Sequence, residues 1–476
     1  MVNALRVNLA LCVLVVFCAC KKNPNIGTDI TKPETEIPVI PTPPKDSVEI
    51  PGNSKVIEVG TGSGNLSIDG KTLGITGNTV IKIKGGSYSD IQIANIVLAN
   101  GTAFVLNDGL VEIVGNRQMT LSNLKNVTIS GNGTPGIDKG FVFRDKSSDA
   151  ASIQLKNDIN DFTLKYVSFS NVNTYNAIQY NSEKVYNGSE SSYSKNLKFL
   201  YIDAVNTGTL IRFRGSVENG TITGLVKNVE VAYLNFRDSR AVGSVVALEN
   251  AEAYDLHNNT VQDINQSNDN HNGIFYVQGN GKFYNNLIKN HQGNAIRAWA
   301  YSIGTTPQEV LIFNNIVINS RMYSGFELQA FERNMLPGKT TFVNAKVFNN
   351  TCGNLLPKEQ FPAQILDLYG LQGGKTDIFN NLGYKFTLVG QNNTNFIYND
   401  MGPTPPNAFN NKYFKTAAEA GIVDENKLML GANSAAKNAG AALTSQNLQI
   451  SATPAISFDI YNTPRSLSKP SIGAVE

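Results

Sequence analysis

The chain has 476 residues, 41% hydrophobic and only 16% charged, which is ample material for a core under a sparsely charged surface. Lys and Arg number 40 against 38 Asp and Glu, a net charge of +2, so no global field recruits nucleic acid or an acidic membrane surface. Three of the four cysteines, Cys12, Cys18 and Cys20, fall at the start and Cys352 stands alone, which excludes a disulfide framework and makes Cys352 a small core hydrophobe.

Residues 7–19 form an apolar run behind Arg6, short for a bilayer span and right for the hydrophobic region of an export signal. Phe17-Cys18-Ala19-Cys20 resembles a bacterial lipobox, with Phe where Leu is commoner. That resemblance implies cleavage after residue 19 and a lipid anchor on Cys20. The expected place is then the cell envelope, on an outer membrane; Lys21-Lys22 stand where an acidic pair often marks surface display, so the leaflet stays open. Residues 21–54 are polar and proline-rich, and Pro24, Pro33, Pro38, Pro41, Pro43, Pro44 and Pro51 make them an extended tether.

Folding is expected from about Lys55, where alternation begins, and Val80-Ile81-Lys82-Ile83-Lys84 leads into a Gly-Gly-Ser-Tyr turn. Asparagine pairs recur at Asn258-Asn259, Asn285-Asn286, Asn314-Asn315, Asn349-Asn350 and Asn380-Asn381, separated by 27, 29, 35 and 31 residues. Such a period signals stacked units, and the short alternating runs make each unit strands rather than helix. The same strand can be followed back without asparagines from Leu124, Leu164, Phe199 and Val231, so the pairs decorate an older repeat. Strands about 4.8 Å apart and roughly thirty residues per coil give on the order of eleven coils over residues 55–400. One Asn of each pair is expected in an internal amide ladder, because buried amides are most simply satisfied by their neighbours in a stack. Residues 401–476 read as a turn-rich cap, with a short helix predicted over residues 416–422.

The entry turn, the repeats and the closing phrases LMLGANSAAKNAGAAL and DIYNTPRSLSKPSIGAVE resemble exported, pectin-lyase-like proteins of the Bacteroidota. Asn462, Ser471 and Val475 depart from the usual Gly, Asp and Tyr of the closing phrase. The resemblance implies a right-handed parallel β-helix, an all-β solenoid with an irregular C-terminal tail, that acts on polysaccharide, and it leaves lyase, hydrolase, epimerase, adhesin and spacer open. Calcium enters only by analogy with the calcium-assisted lyases of the chondroitinase B and alginate lyase type. No D-x-D-x-D-G run gathers oxygen ligands, so no metal site is assigned. A monomer is expected.

All three histidines, His257, His271 and His291, fall within 35 residues. If Ile296 and Ala298 point inward, Arg297 and Trp299 point outward, and the same parity brings Arg212, Arg214, Glu249, Phe275, Glu327 and Gln329 onto one strip. The longest insertions flank that strip, walling a groove for an extended polymer. A uronan lyase needs a cation on the substrate carboxylate and a tuned base beside the sugar. Arg297 is the expected neutraliser, with His271 or His291 as base and the other positioning; Tyr276 and Tyr301 are weaker bases. Arg212, Arg214, Trp299, Glu327 and Gln329 are the expected substrate contacts. A hydrolase would need paired carboxylates, for which only Glu327 with Glu249 or Asp367 offers itself. The alternative function is a non-catalytic glycan-binding or structural envelope protein.

Overall fold

The structure is a computed structural model that describes residues 50–330, 335–355, 363–369, 374–386, 395–402, 404–444 and 453–476. The expected signal region, the expected lipidation position Cys20 and nearly all of the expected tether lie outside the described residues. The first strand is Lys55–Val59, where alternation predicts it.

Among the described residues, twenty-five strands hydrogen-bond into one sheet, and every pairing within it is parallel to a strand about one coil away, as in Lys55 to Thr79 and Val80 to Phe104. One column can be traced from Ser63 through Ser87, Glu112, Val142, Ser168, Asp203, Asn235, Thr260, Leu287, Ile316 and Thr351 to Leu382 and Lys412. The chain is therefore a parallel β-helix, and its ladder runs on past residue 400. Its first steps, Ser63 to Ser87 and Ser87 to Glu112, span only 24 and 25 residues, tighter than the thirty-residue period of the asparagine-bearing coils. Alternate side chains from every coil fill the interior, so Ile81, Ile91, Leu121, Phe162, Phe275 and Ile296 are all fully buried. Cys352 lies fully buried among them, and burial pushes its thiol up.

The asparagine pairs divide their labour. The first of each pair, Asn258, Asn285, Asn314, Asn349 and Asn380, turns the corner with φ between 50° and 55°, a left-handed conformation that Asn tolerates better than other side chains. The second joins the expected ladder. Nδ2 of Asn259 donates to Oδ1 of Asn286 at 2.9 Å, and the chain continues through Asn315, Asn350 and Asn381 to Asn411 at 2.9–3.0 Å per step. Each Oδ1 also accepts the backbone N–H of the asparagine one coil earlier, which satisfies a buried corner amide.

Outside the same corner runs a column of rings that alternation does not reveal. Tyr166, Tyr201 and Tyr233 stack at 4.7 Å, His257 follows, and Tyr284, Phe313, Phe348, Phe379 and Phe409 continue at 4.8–5.1 Å. The C-terminal tail lies over its later half. Asn314 donates to Phe458 O, Asn349 to Ser471 O and Asn380 to Ala441 O at 2.8–2.9 Å, while Leu443 packs among the phenylalanines. In the closing phrase, buried Arg465 bridges Ser471 O, Gly473 O and the Glu476 carboxylate, and Asn462 adopts the left-handed turn usual for glycine. The predicted helix over residues 416–422 is a correction: Gly421, at φ 71°, ends it after one turn and the chain enters the strand Ile422–Asp424.

Candidate functional site

The outward strip exists and is held by strand register. Arg212 pairs with Ala247, Ala247 with Tyr276, Tyr276 with Arg297, Arg297 with Glu327 and Glu327 with Asp367. Two residues along, Gln278, Trp299, Gln329 and Tyr369 form a second column beside it. Phe275 is a correction to the parity count. Its register with Ile296 turns it into the core, and Tyr276 takes the outward place.

Glu327 is the hub. Its side chain is 0% exposed, with Oε1 accepting from Arg297 Nε at 2.8 Å and Oε2 lying 2.6 Å from His271 Nε2. The Gln329 amide also donates to Oε1. Burial pushes this carboxyl up, but the His271 contact and the charges of His271 and Arg297 outweigh it, and the net shift is downward. Glu327 is therefore the anionic post that holds the His271 imidazole and the Arg297 guanidinium together, where the sequence suggests it only as a substrate contact.

His271 stands at the mouth with its side chain 33% exposed. Its Nε2 lies between two acceptors, the Glu327 carboxylate and Asn294 Oδ1 at 3.0 Å, so in the neutral tautomer these contacts favour, the ring proton sits on Nε2 and the lone pair on Nδ1. Asn294 is oriented by donating from Nδ2 to Ser324 O at 3.0 Å. Tyr323 stacks on the imidazole at 4.1 Å and 11°, from a backbone at φ 75°, which is strained for a tyrosine. Arg297 completes the unit by donating from Nη1 to His271 O at 2.9 Å. Neither Asn294 nor Tyr323 is legible in sequence: Asn294 opens the strand Asn294–Ala300 and meets His271 only in the fold, and Tyr323 reaches the site from a turn.

Behind Glu327, Asp367 is buried one strand further on, and burial pushes its carboxyl up to about 7. Glu327 and Asp367 thus sit side by side under the surface and do not flank a groove as a hydrolytic pair would. Glu249 is likewise committed, to Arg212 at 2.9 Å.

The other expected residues divide. Trp299 and Gln329 line a cavity of about 190 Å³ with Gln278, Glu218 and Tyr301, next to the Arg297 cluster. Arg212 and exposed Arg214 lie on the same strip, three strands from Arg297, where Arg212 meets the ring of Tyr175 at 5.7 Å. His291 is a correction. It is fully buried, pairs with Ser320 in a different strand column, and burial pushes its imidazole down to about 3, so it neither meets substrate nor positions His271. His257 belongs to the ring column and lies 3.4 Å from Glu230. Tyr301 is buried and donates to Asn250 Oδ1, and Tyr276 accepts from Gln278 at 2.7 Å, so neither is presented as a base.

Among the described residues no group of three or more His, Cys, Asp or Glu side chains is arranged to hold a metal ion.

No protein-family model matches the chain, and no curated protein is similar to it in sequence. Among solved structures it is similar to a PL6 family polysaccharide lyase from Pseudopedobacter saltans, at 12% identity over 86% of this chain and 98% of that one, with a TM-score of 0.40. A pectate lyase matches at 13% identity over 87% and 96%, TM-score 0.27. The A-module of a mannuronan C-5 epimerase from Azotobacter vinelandii matches at 12% identity over 70% and 90%, TM-score 0.18.

Proposed function

We propose that the protein binds an anionic polysaccharide along the Arg212 to Glu327 strip and cleaves it by β-elimination, with His271 as base. The observation that carries this reading is the Glu327 unit, in which one buried carboxylate fixes both the His271 tautomer and the Arg297 guanidinium at a solvent-facing mouth. In such a reaction Nδ1 of His271 takes the proton next to the uronate carboxylate. Arg297 offers its remaining N–H donors to the oxygens where charge develops, and Trp299 supplies an apolar face for a neighbouring sugar ring.

A second reading, glycan binding without catalysis, is favoured by one specific observation. The Arg297 charge is already partly answered by Glu327 and by a carbonyl, which weakens it as a neutraliser. Incubation with a panel of uronans, followed by absorbance of the new C=C bond and in parallel by affinity electrophoresis, separates the two. Absorbance that is lost in His271→Ala supports the lyase. Retardation of the protein without any absorbance supports the binding module, and neither result sinks both.

The envelope placement is part of the same proposal. The export signal and Cys20 motif deliver the domain to a membrane surface where polysaccharide is met. Mass spectrometry of the mature N-terminus tests it, with a diacylated Cys20 expected and an unmodified one contradicting it.

A further inference from the structure

The cavity of about 190 Å³ beside the Arg297 cluster is walled by an insertion outside the repeating coils. Trp299 and Gln329 stand two residues beyond Arg297 and Glu327 on the same two strands, so the cavity lies to one side of the line from Arg212 to Glu327 and not along it. Its wall is the hairpin of Ser216–Glu218 and Thr221–Thr223, which follows directly on Arg214. Asn219 and Gly220 turn that hairpin at φ 49° and 75°, the two positive values of a type I′ turn. The hairpin is held firmly. Asn250 donates from Nδ2 to Ser216 O at 2.9 Å and to Thr223 O at 2.7 Å, buried Tyr301 of the cavity lining donates to Asn250 Oδ1, and Lys339 Nζ reaches Gly220 O at 2.5 Å. A wall fixed in advance spares a ligand the cost of ordering it.

The lining is apolar on Val217, Ala300, Ala330, Met335 and the Trp299 ring. Gln329 turns Nε2 to Glu327 Oε1 and Gln278 turns Nε2 to the Tyr276 hydroxyl, so the carbonyl ends of both amides are left for a ligand. Glu218 adds a carboxylate, and among the described lining residues it holds the only charge. Arg212 and Arg297 are turned to Glu249 and Glu327 and line the strip, not this cavity. An aromatic face with acceptors around it matches the C–H face and the hydroxyls of an uncharged sugar. A carboxylate or sulfate placed there would meet Glu218 and two carbonyl oxygens with no cation in the lining to answer it. A cavity of about 150 Å³ admits one benzene ring, so about 190 Å³ is room for a single six-membered ring.

We propose that this cavity is a subsite for an uncharged branch sugar, and that the polymer is an acidic polysaccharide carrying single neutral side residues; this rests on the strip's binding the acidic backbone. The backbone follows the column of Tyr276, Arg297 and Glu327. Its branch turns sideways over Trp299 into the space under the hairpin, where hydroxyls donate to Gln278, Gln329 and Glu218. Gln329, which touches Glu327 from the cavity side, joins the two subsites.

The test is titration calorimetry of the full chain with galacturonate and glucuronate oligomers, each prepared with and without single xylosyl or glucosyl branches. At least one branched oligomer is expected to bind about tenfold tighter than its own unbranched backbone, a ratio that falls to about one in Val217→Trp, whose indole fills the cavity. Saturation-transfer NMR on the parent chain, independent of any folding defect in the variant, is expected to label the branch ring more strongly than the backbone rings. Equal affinity with and without the branch, a branch preference that survives in Val217→Trp, or a branch ring labelled no more than the backbone overturns the proposal and leaves the strip reading standing. Failure of every oligomer to bind sinks both.

Discussion

Replacing Asn315 by alanine tests the amide ladder at its centre. Asn315 donates from Nδ2 to Asn350 Oδ1 and Phe283 O at 2.9 Å, and its Oδ1 accepts the Asn286 N–H and Nδ2 at 3.0 Å. In the variant Asn350 Oδ1 keeps the backbone N–H of residue 315, and Asn286 Nδ2 keeps Leu256 O. Phe283 O and the Asn286 N–H lose these partners in a fully buried place. At about 1–3 kcal/mol for each orphaned group, the expected loss is about 4 kcal/mol. The control is Asn285→Gly. Its φ of 53° suits glycine, so only the added freedom of the unfolded chain counts, at about 1 kcal/mol or less. Because a solenoid unfolds by neighbouring units, the assay is native-state hydrogen exchange on the strands Gly273–Tyr284 and Glu309–Phe313. About 4 kcal/mol corresponds to roughly a thousandfold faster exchange in Asn315→Ala. Equal acceleration in both variants, or less than tenfold in Asn315→Ala, would refute the division of roles within the pairs.

Two buried groups give opposite pH dependences that single variants can separate. His291 has a folded pKa of about 3, below its unfolded value, so the unfolded chain binds its proton first and stability is lost as pH falls from about 6.5 towards 3. His291→Phe should flatten that limb of a urea-midpoint profile by at most about 5 kcal/mol, and an unchanged limb would show that the imidazole is not buried neutral. Asp367 has a folded pKa of about 7, above its unfolded value, so its contribution is present below about 4 and lost as pH rises through 7. Asp367→Asn should therefore gain stability over the parent at pH 8 by up to about 4 kcal/mol, while a loss there would contradict a carboxyl that resists ionisation. Trp299→Ala should weaken polysaccharide binding about tenfold, roughly 1.4 kcal/mol by titration calorimetry, and unchanged affinity would remove Trp299 from the site.

The fold is legible because repetition multiplies a weak signal. No single coil identifies itself, but five asparagine pairs in register with Leu164, Phe199 and Val231 define a strand that recurs, and the ladder from Asn259 to Asn411 follows from where those pairs fall. Parity carries Arg297, Trp299, Glu327 and Gln329 to one face, since Ile296 and Ala298 must be inside. It fails for Phe275, where reading the strand from Gly273 without its partner shifts the face by one residue. Composition misleads for His291, because nearness in sequence to His271 places it on the next strand of the coil and in the core. Tyr323 and, among the stacked rings, Tyr166, Tyr201 and Tyr233 sit at left-handed positions whose φ values no alternation encodes, and Asn294, at the start of its strand, meets His271 only in the fold.

The most direct measurement is hydrogen exchange of the intact chain with and without a saturating oligouronide. Binding at the proposed strip predicts protection of the strands Asn294–Ala300 and Phe326–Gln329 and of the turn carrying His271, lost in Arg297→Ala. Protection confined to any other face, with these strands unchanged, would contradict the assignment of the polysaccharide site to Arg297, His271 and Glu327.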